Sequence, residues 1–147
     1  MDEKLQIEFI DLLNGALRLE HFAYIQYLSH AEQIGGLYSG PVIALLKDSA
    51  ADEARHAEVL RGLIGDYFYG VPALDITPAK EGGSTAEIIL TNIDSEAEAI
   101  AEYKMIHAKI LENKDGLSNI FEKLEHAIRH ILIEEQEHVA ELNRLMR

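Results

Sequence analysis

Apolar residues recur every three or four positions along most of the chain, and the breaks in that period mark out four helices. The first run is Leu5, Phe9, Leu12, Leu13, Ala16, Leu17, Ala23, Tyr24, Tyr27 and Leu28, with Asp2 placed to cap it and Gly35-Gly36 to end it. It predicts a helix over about 3–34. A second, over about 41–64, tolerates Pro41 in its first turn and turns Val42, Leu45, Leu46, Ser49, Glu53, His56 and Leu60 inward. The third, about 85–113, starts behind the capping box Ser84-x-x-Glu87, runs through Ile88, Ile89, Ile93, Glu96, Ile100, Tyr103, His107 and Leu111, and stops by Gly116. The fourth, about 119–146, has Ser118 as its expected cap and one stripe made of Phe121, Leu124, Ile128, Ile131, Leu132, Glu135, His138, Val139 and Leu142. No stretch alternates like a strand.

The links decide how the helices are arranged. The first and third are short, so each joins antiparallel neighbours. The second, about 65–84, holds two prolines and four glycines with no helical period. Its 18 central residues, 66–83, reach up to about 60 Å, enough to run the length of a ~40 Å helix and return the chain to the other end. The expected fold is all-α: one domain over residues 1–147, a four-helix bundle with a long crossover between helices 2 and 3.

Polar residues inside the apolar stripes change the picture. Glu53-x-x-His56 and, 82 residues later, Glu135-x-x-His138 each put a carboxylate and an imidazole on one helical face, about 5–6 Å apart at Cβ. With 18 Glu and 7 His in 147 residues, about one such match arises by chance, so position matters more than the motif. Position supports it: Glu20 and Tyr27 share a face of helix 1 within about 20°, and Glu96, Tyr103 and His107 share one of helix 3 within about 40°. The chain thus reads as two copies of one unit, a helix with Glu and a Tyr seven later followed by a helix with Glu-x-x-His. A carboxylate aimed into an apolar seam is costly unless paired, hydrogen-bonded or bound to a cation. Four Glu and two His form an oxygen-rich site suited to iron or manganese, and two divalent ions would balance four carboxylates. The plain alternative is a buried polar network without metal.

Composition narrows the chemistry further. There is no Cys, which removes disulfides, thiolate sites and Fe–S clusters, so any metal must use carboxylate and imidazole. A formal charge of −13 repels nucleic acid and anionic membranes and attracts cations. The start, Met1-Asp2-Glu3-Lys4, is unlike a secretory leader, and no apolar run approaches the ~18 residues of a membrane span, which leads to an expectation of a cytoplasmic protein.

On these residues the chain resembles the ferritin-like superfamily of di-iron carboxylate proteins. It is most similar to the bacterioferritin branch, through the Glu20-to-Tyr27 spacing and Glu96-x-x-Ala99-Ile100-x-x-Tyr103, with rubrerythrins as the second choice. The resemblance implies a ferritin-like four-helix bundle in which Glu20, Glu53, His56, Glu96, Glu135 and His138 are both the metal ligands and the catalytic set. Glu53 and Glu135 would bridge two irons, with Glu20 and His56 completing one and Glu96 and His138 the other; manganese or zinc are the alternatives. Implied activity is oxidation of Fe(II) by dioxygen or hydrogen peroxide. Where bacterioferritins carry a haem-binding Met this chain has Ala54, so haem is not expected. Where rubrerythrins carry an extra Glu it has Ala99, and their Cys domain has no counterpart. Only nine residues follow His138, against the fifth helix of cage-forming relatives.

Other residues have quieter expectations. Tyr27 and Tyr103 are core residues whose hydroxyls would bond a ligand carboxylate. His107 reads as a half-buried histidine, His126 and His130 as surface or interface residues, and Glu98 and Glu102 as solvated; His21 and His30 have no assignment. Tyr67-Phe68-Tyr69 would pack across the bundle or a partner, and the surplus apolar surface implies a homo-oligomer, a dimer or larger. Two rival functions stand beside Fe(II) oxidation: a rubrerythrin-like peroxidase or other di-iron oxidoreductase, and a non-catalytic metal-binding helical assembly protein.

Overall fold

A computed structural model describes residues 1–147 as four α-helices and no strand. They are α1 (Glu3–Ala31), α2 (Ser39–Gly62), α3 (Thr85–Glu112) and α4 (Phe121–Met146). Asp2 caps α1 by accepting from Leu5 N–H at 2.7 Å, and Ser84 caps α3 by accepting from Glu87 N–H at 3.2 Å.

The ends that differ from expectation have local causes. α1 stops ahead of its glycines, because Gln33 N–H bonds His30 C=O and tightens the last turn. Gly36, at φ 101°, then turns the chain. Ser118 is exposed and caps nothing; α4 starts from a run of turns, with Ile120 at its cap position and no side-chain bond there. α2 continues into a π-helical turn, Leu63–Tyr67, in which Phe68 N–H reaches back to Leu63 C=O. That turn splits the aromatic triplet. Phe68 is buried and stacks on Phe9 with centroids 5.5 Å apart, whereas Tyr69 takes φ 55° and points outward, 82% exposed. Gly70 follows where a Cβ would come within 2.8 Å of the Ile10 side chain, so the chain passes close to α1 only because it has none.

From there the crossover runs as a strap along α1, held by a row of α1 polar side chains. Gln6 donates to Phe68 C=O at 2.6 Å, and Asn14 both donates to Val71 C=O and accepts from Ala73 N–H. Arg18 pairs with Asp75 at 2.8 Å and His21 bonds the Asp75 carbonyl. Farther up, Gln26 accepts from Lys80 N–H at 2.8 Å and His30 bonds Lys80 C=O at 3.0 Å. Residues 6 to 30 span about 36 Å of helix, so an extended segment is tied down over most of the bundle's length. These bonds satisfy backbone groups that have no helix or sheet to pair with.

α1 packs mainly on α2 and α3 on α4, with α1 against α3 and α2 against α4 closing the bundle. The core is in two parts. One apolar cluster gathers Phe9, Leu13, Leu17, Leu60, Ile64, Phe68, Ile106, Ile110, Leu124 and Ile128; the other gathers Ala31, Leu46, Ala50, Ile88, Ile89 and Leu142. Between them lie Glu20, Glu53, His56, Glu96, Glu135 and His138, each no more than 3% exposed. A fully buried Leu or Ile stabilises by about 1.5–3 kcal/mol, so the flanking clusters can carry a layer that is unfavourable by itself.

Candidate metal centre

Each helix delivers its inward Glu and His side chains to that layer by register alone. All six expected residues meet there, in two sets of four donor atoms whose members lie within 4.8 Å of one another. One set is Glu20, Glu53, His56 and Glu135; the other is Glu53, Glu96, Glu135 and His138. Glu53 and Glu135 belong to both. The imidazoles turn Nδ1 inward: His56 Nδ1 lies 2.8 Å from Glu135 Oε1, and His138 Nδ1 lies 3.0 Å from Glu53 Oε1 and 3.2 Å from Glu96 Oε1.

Both tyrosines bond a carboxylate across the bundle. Tyr27 on α1 donates to Glu96 on α3 at 2.5 Å, and Tyr103 on α3 donates to Glu20 on α1 at 2.6 Å. Each copy of the repeated unit therefore orients the lone carboxylate of the other.

The outer side of the imidazoles holds residues that periodicity did not single out. His56 Nε2 meets Glu134, and His138 Nε2 meets Asp52 at 2.9 Å, each pair joining α2 to α4. An acid bonded to the far nitrogen fixes a ring's tautomer and aim, the arrangement metal-binding histidines use. Arg55 ties the two acids together, donating to Asp52 at 3.0 Å and to Glu134 at 2.7 Å. One signal was available: in both copies an acid directly precedes the Glu of Glu-x-x-His, as Asp52-Glu53 and Glu134-Glu135.

Without a bound cation the layer holds protons. Burial, followed by the charges of Glu20 and Glu135, pushes the Glu53 carboxyl well above its ordinary range. Burial and the charges of Glu20 and Glu96 do the same to Glu135. Burial alone would lower the imidazoles, but contacts with Glu135 and Glu20 raise His56 to about 11, and contacts with Glu96 raise His138 to about 9. Glu96 is also opposed by burial, yet its contacts with Glu135, His138 and Tyr27 hold it below the usual carboxylate value. Both tyrosine hydroxyls are pushed up, by burial first and then by the carboxylates beside them.

Protons do not complete the layer. Glu20 Oε2, Glu53 Oε1, Glu96 Oε2, both Glu135 oxygens and His56 Nδ1 are buried with no hydrogen-bond partner. The short contacts around His56 Nδ1 bring charge together without the alignment of a hydrogen bond. Unsatisfied buried polar atoms are rare, and here they converge as oxygen and imidazole donors. The donor set fits two divalent metal ions side by side.

Remaining candidates lie elsewhere. His107 is half-buried and faces Glu125 at 3.3 Å, outside the layer. Glu98 is exposed and pairs with Lys80, and Glu102 is half-buried. His21 and His30 serve the crossover; His30 also accepts from Asn92, itself bonded to Gln26. His126 and His130 are exposed.

A four-helix bundle with two carboxylate-rich donor sets sharing two Glu defines a candidate dinuclear carboxylate protein. Residues 10–147 match the family described as Ferritin, ferritin-like domain, and the chain belongs to that family. A search of curated proteins gives no match. Among solved structures the chain is similar to a ferritin-like, diiron-carboxylate protein from Bacillus anthracis str. Ames, at 24% identity over 100% of both chains with a TM-score of 0.87. It is similar to a dodecameric thioferritin, the bacterioferritin-related protein of Bacteroides fragilis, at 27% identity over 96% of this chain and 85% of that one (TM-score 0.82). A third likeness is to Rhodobacter capsulatus bacterioferritin, at 21% identity over 98% and 84% of the two chains (TM-score 0.82); that structure has a metal-free dinuclear site and haem iron.

Proposed function

We propose that the chain binds two iron ions between its helices and oxidises Fe(II) with dioxygen or hydrogen peroxide, in iron handling or oxidative-stress defence. The observation that carries this reading is the pair of four-donor sets sharing Glu53 and Glu135. Fe(II) is the substrate, and each ion gives one electron to the oxidant. Two adjacent ions let the electrons leave together and share the charge that develops on oxygen.

The chain's own residues do the rest. Glu53 and Glu135 hold the pair together, Glu20 with His56 and Glu96 with His138 complete its two ends, and Asp52 and Glu134 keep the rings aimed. Tyr27 and Tyr103 hold one oxygen of Glu96 and Glu20 and leave the other free for metal. The two flanking apolar clusters exclude bulk water. Manganese and zinc fit the same donors, and loading from iron-replete cells discriminates among them. We place the protein in the cytoplasm and as a homo-oligomer, the latter supported by its likeness to a dodecameric relative and by exposed Leu37, Tyr38, Val71 and Leu74.

An organic substrate is the nearest competing reading. Pockets that reach the layer measure about 120 Å³, at Glu20, and about 240 Å³, at His56, below the ~300 Å³ at which pockets for drug-sized ligands begin. That favours small reactants. The test is rapid mixing of Fe(II)-loaded chain with dioxygen or peroxide. Wild type should consume about two Fe(II) per chain in a fast phase that Glu53→Ala abolishes; wild-type kinetics in that variant would sink the reading.

A further inference from the structure

We propose that His126 and His130 form a second site, at the surface, for one divalent transition-metal ion, at the mouth of a pocket that leads to the buried layer. The two imidazoles stand one turn apart on α4, with ring centroids 4.5 Å apart and planes 37° from one another. Two histidines at this spacing on one helical face are a known chelating arrangement. An ion bound at about 2.1 Å to each ring nitrogen lies about 3.2 Å from each ring centre, which puts the centres about 4.5–5.2 Å apart for bond angles of about 90–109°. The observed separation falls at the near end of that range.

The surroundings say what such an ion would be near. Both rings line the pocket of about 240 Å³, whose inner wall includes His56 and Glu134. Glu134 lies one further turn along α4 from His130 and is the only carboxylate lining that pocket. Its Oε2 already touches His56 Nε2, so the stripe His126, His130, Glu134 leads from solvent to a residue of the buried layer. Arg55 and Lys123 also line the pocket, but Arg55 is paired with Asp52 and Glu134. Imidazole nitrogen suits iron, cobalt, nickel, copper and zinc rather than magnesium or calcium. An ion held there is staged for entry to the centre; that part rests on the reading of the centre given above, while the surface site does not.

Anaerobic titration of the full chain, stripped with chelator, with Co(II) alone tests it by counting bound ions from the visible absorption. Wild type should take one more Co(II) per chain than H126A/H130A, whose exposed substitutions leave the fold intact, as circular dichroism checks. At limiting Fe(II) the double variant should oxidise several-fold more slowly, with its fast-phase stoichiometry unchanged. An equal Co(II) count in the two proteins overturns the site, and an equal oxidation rate overturns the staging role. If wild type takes a single Co(II) that the double variant loses, the surface site stands and the buried centre falls.

Discussion

The half of the layer built on Glu20 and His56 and the half built on Glu96 and His138 contain the same donor types, yet they differ. His56 keeps its proton to about 11 and His138 to about 9. Glu96 Oε1 receives both Tyr27 and His138, whereas Glu20 Oε1 receives Tyr103. The outer acid is Glu134 on His56 and Asp52 on His138, and Arg55, which joins them, has the exposed Glu137 as its counterpart in the other copy. Pockets open onto His56 and onto Glu20. The repeated pattern sets which atoms face the centre, and the residues around it make one half the side reached from solvent.

Removing what the two halves share has the largest expected effect. Glu135→Ala should eliminate both ions and the fast phase of oxidation, where His56→Ala leaves the Glu96 and His138 half with its donors. Metal counting by mass spectrometry of the loaded chains checks this: below one ion per chain in the first variant, about one in the second.

pH separates the halves next. His138 and His56 have raised values in the folded chain, so the stability they contribute is whole below about 6.5, the unfolded value, and is lost as pH rises. Both rings begin to lose it above about 6.5, and the loss is complete near 9 for His138 and only near 11 for His56. The chelator-treated chain should therefore lose stability steeply between pH 6.5 and 9, where both rings shed it, and at about half that slope between about 9 and 11, where only His56 does, by denaturant titration. The iron-loaded chain should move the other way, because ions replace those protons and bind more tightly as the ligands deprotonate.

Most of the fold and all six inward donors were legible in the sequence, because helical period and an internal repeat report which side chains share a face. The tyrosines were legible as hydroxyls near a carboxylate; that each serves the opposite copy depends on how α1 and α3 cross. Asp52, Glu134 and Arg55 were not read. They lie one residue before or two after an inward Glu, turned toward the helix edge, where a charge looks the same whether it meets water or a partner helix. The strap was legible only as length. Its anchors, Gln6, Asn14, Arg18, His21, Gln26 and His30, are polar side chains of α1 that in the sequence look like ordinary solvated ones. Ser118 failed as a cap because a chain of turns already supplies the entry to α4.

Smaller changes sharpen the contrast. Asp52→Asn and Glu134→Gln should each weaken metal binding about 10–100-fold by loosening one ring. Competition with a chelator of known affinity reads the loss, and the ion on the ring that lost its partner should leave first. Tyr27→Phe and Tyr103→Phe remove one hydrogen bond each and should cost about 1–2 kcal/mol in the metal-free chain, measured by denaturant titration.

The proposed oxidation depends on two iron ions lying side by side in one buried layer, sharing Glu53 and Glu135. Crystals grown anaerobically with Fe(II), with diffraction collected on both sides of the iron absorption edge, test it directly. Two iron peaks are expected inside the bundle, one touching Glu20 and His56, the other Glu96 and His138, and both touching Glu53 and Glu135. A single peak, or iron found only on the surface while the buried layer stays protonated, would contradict it.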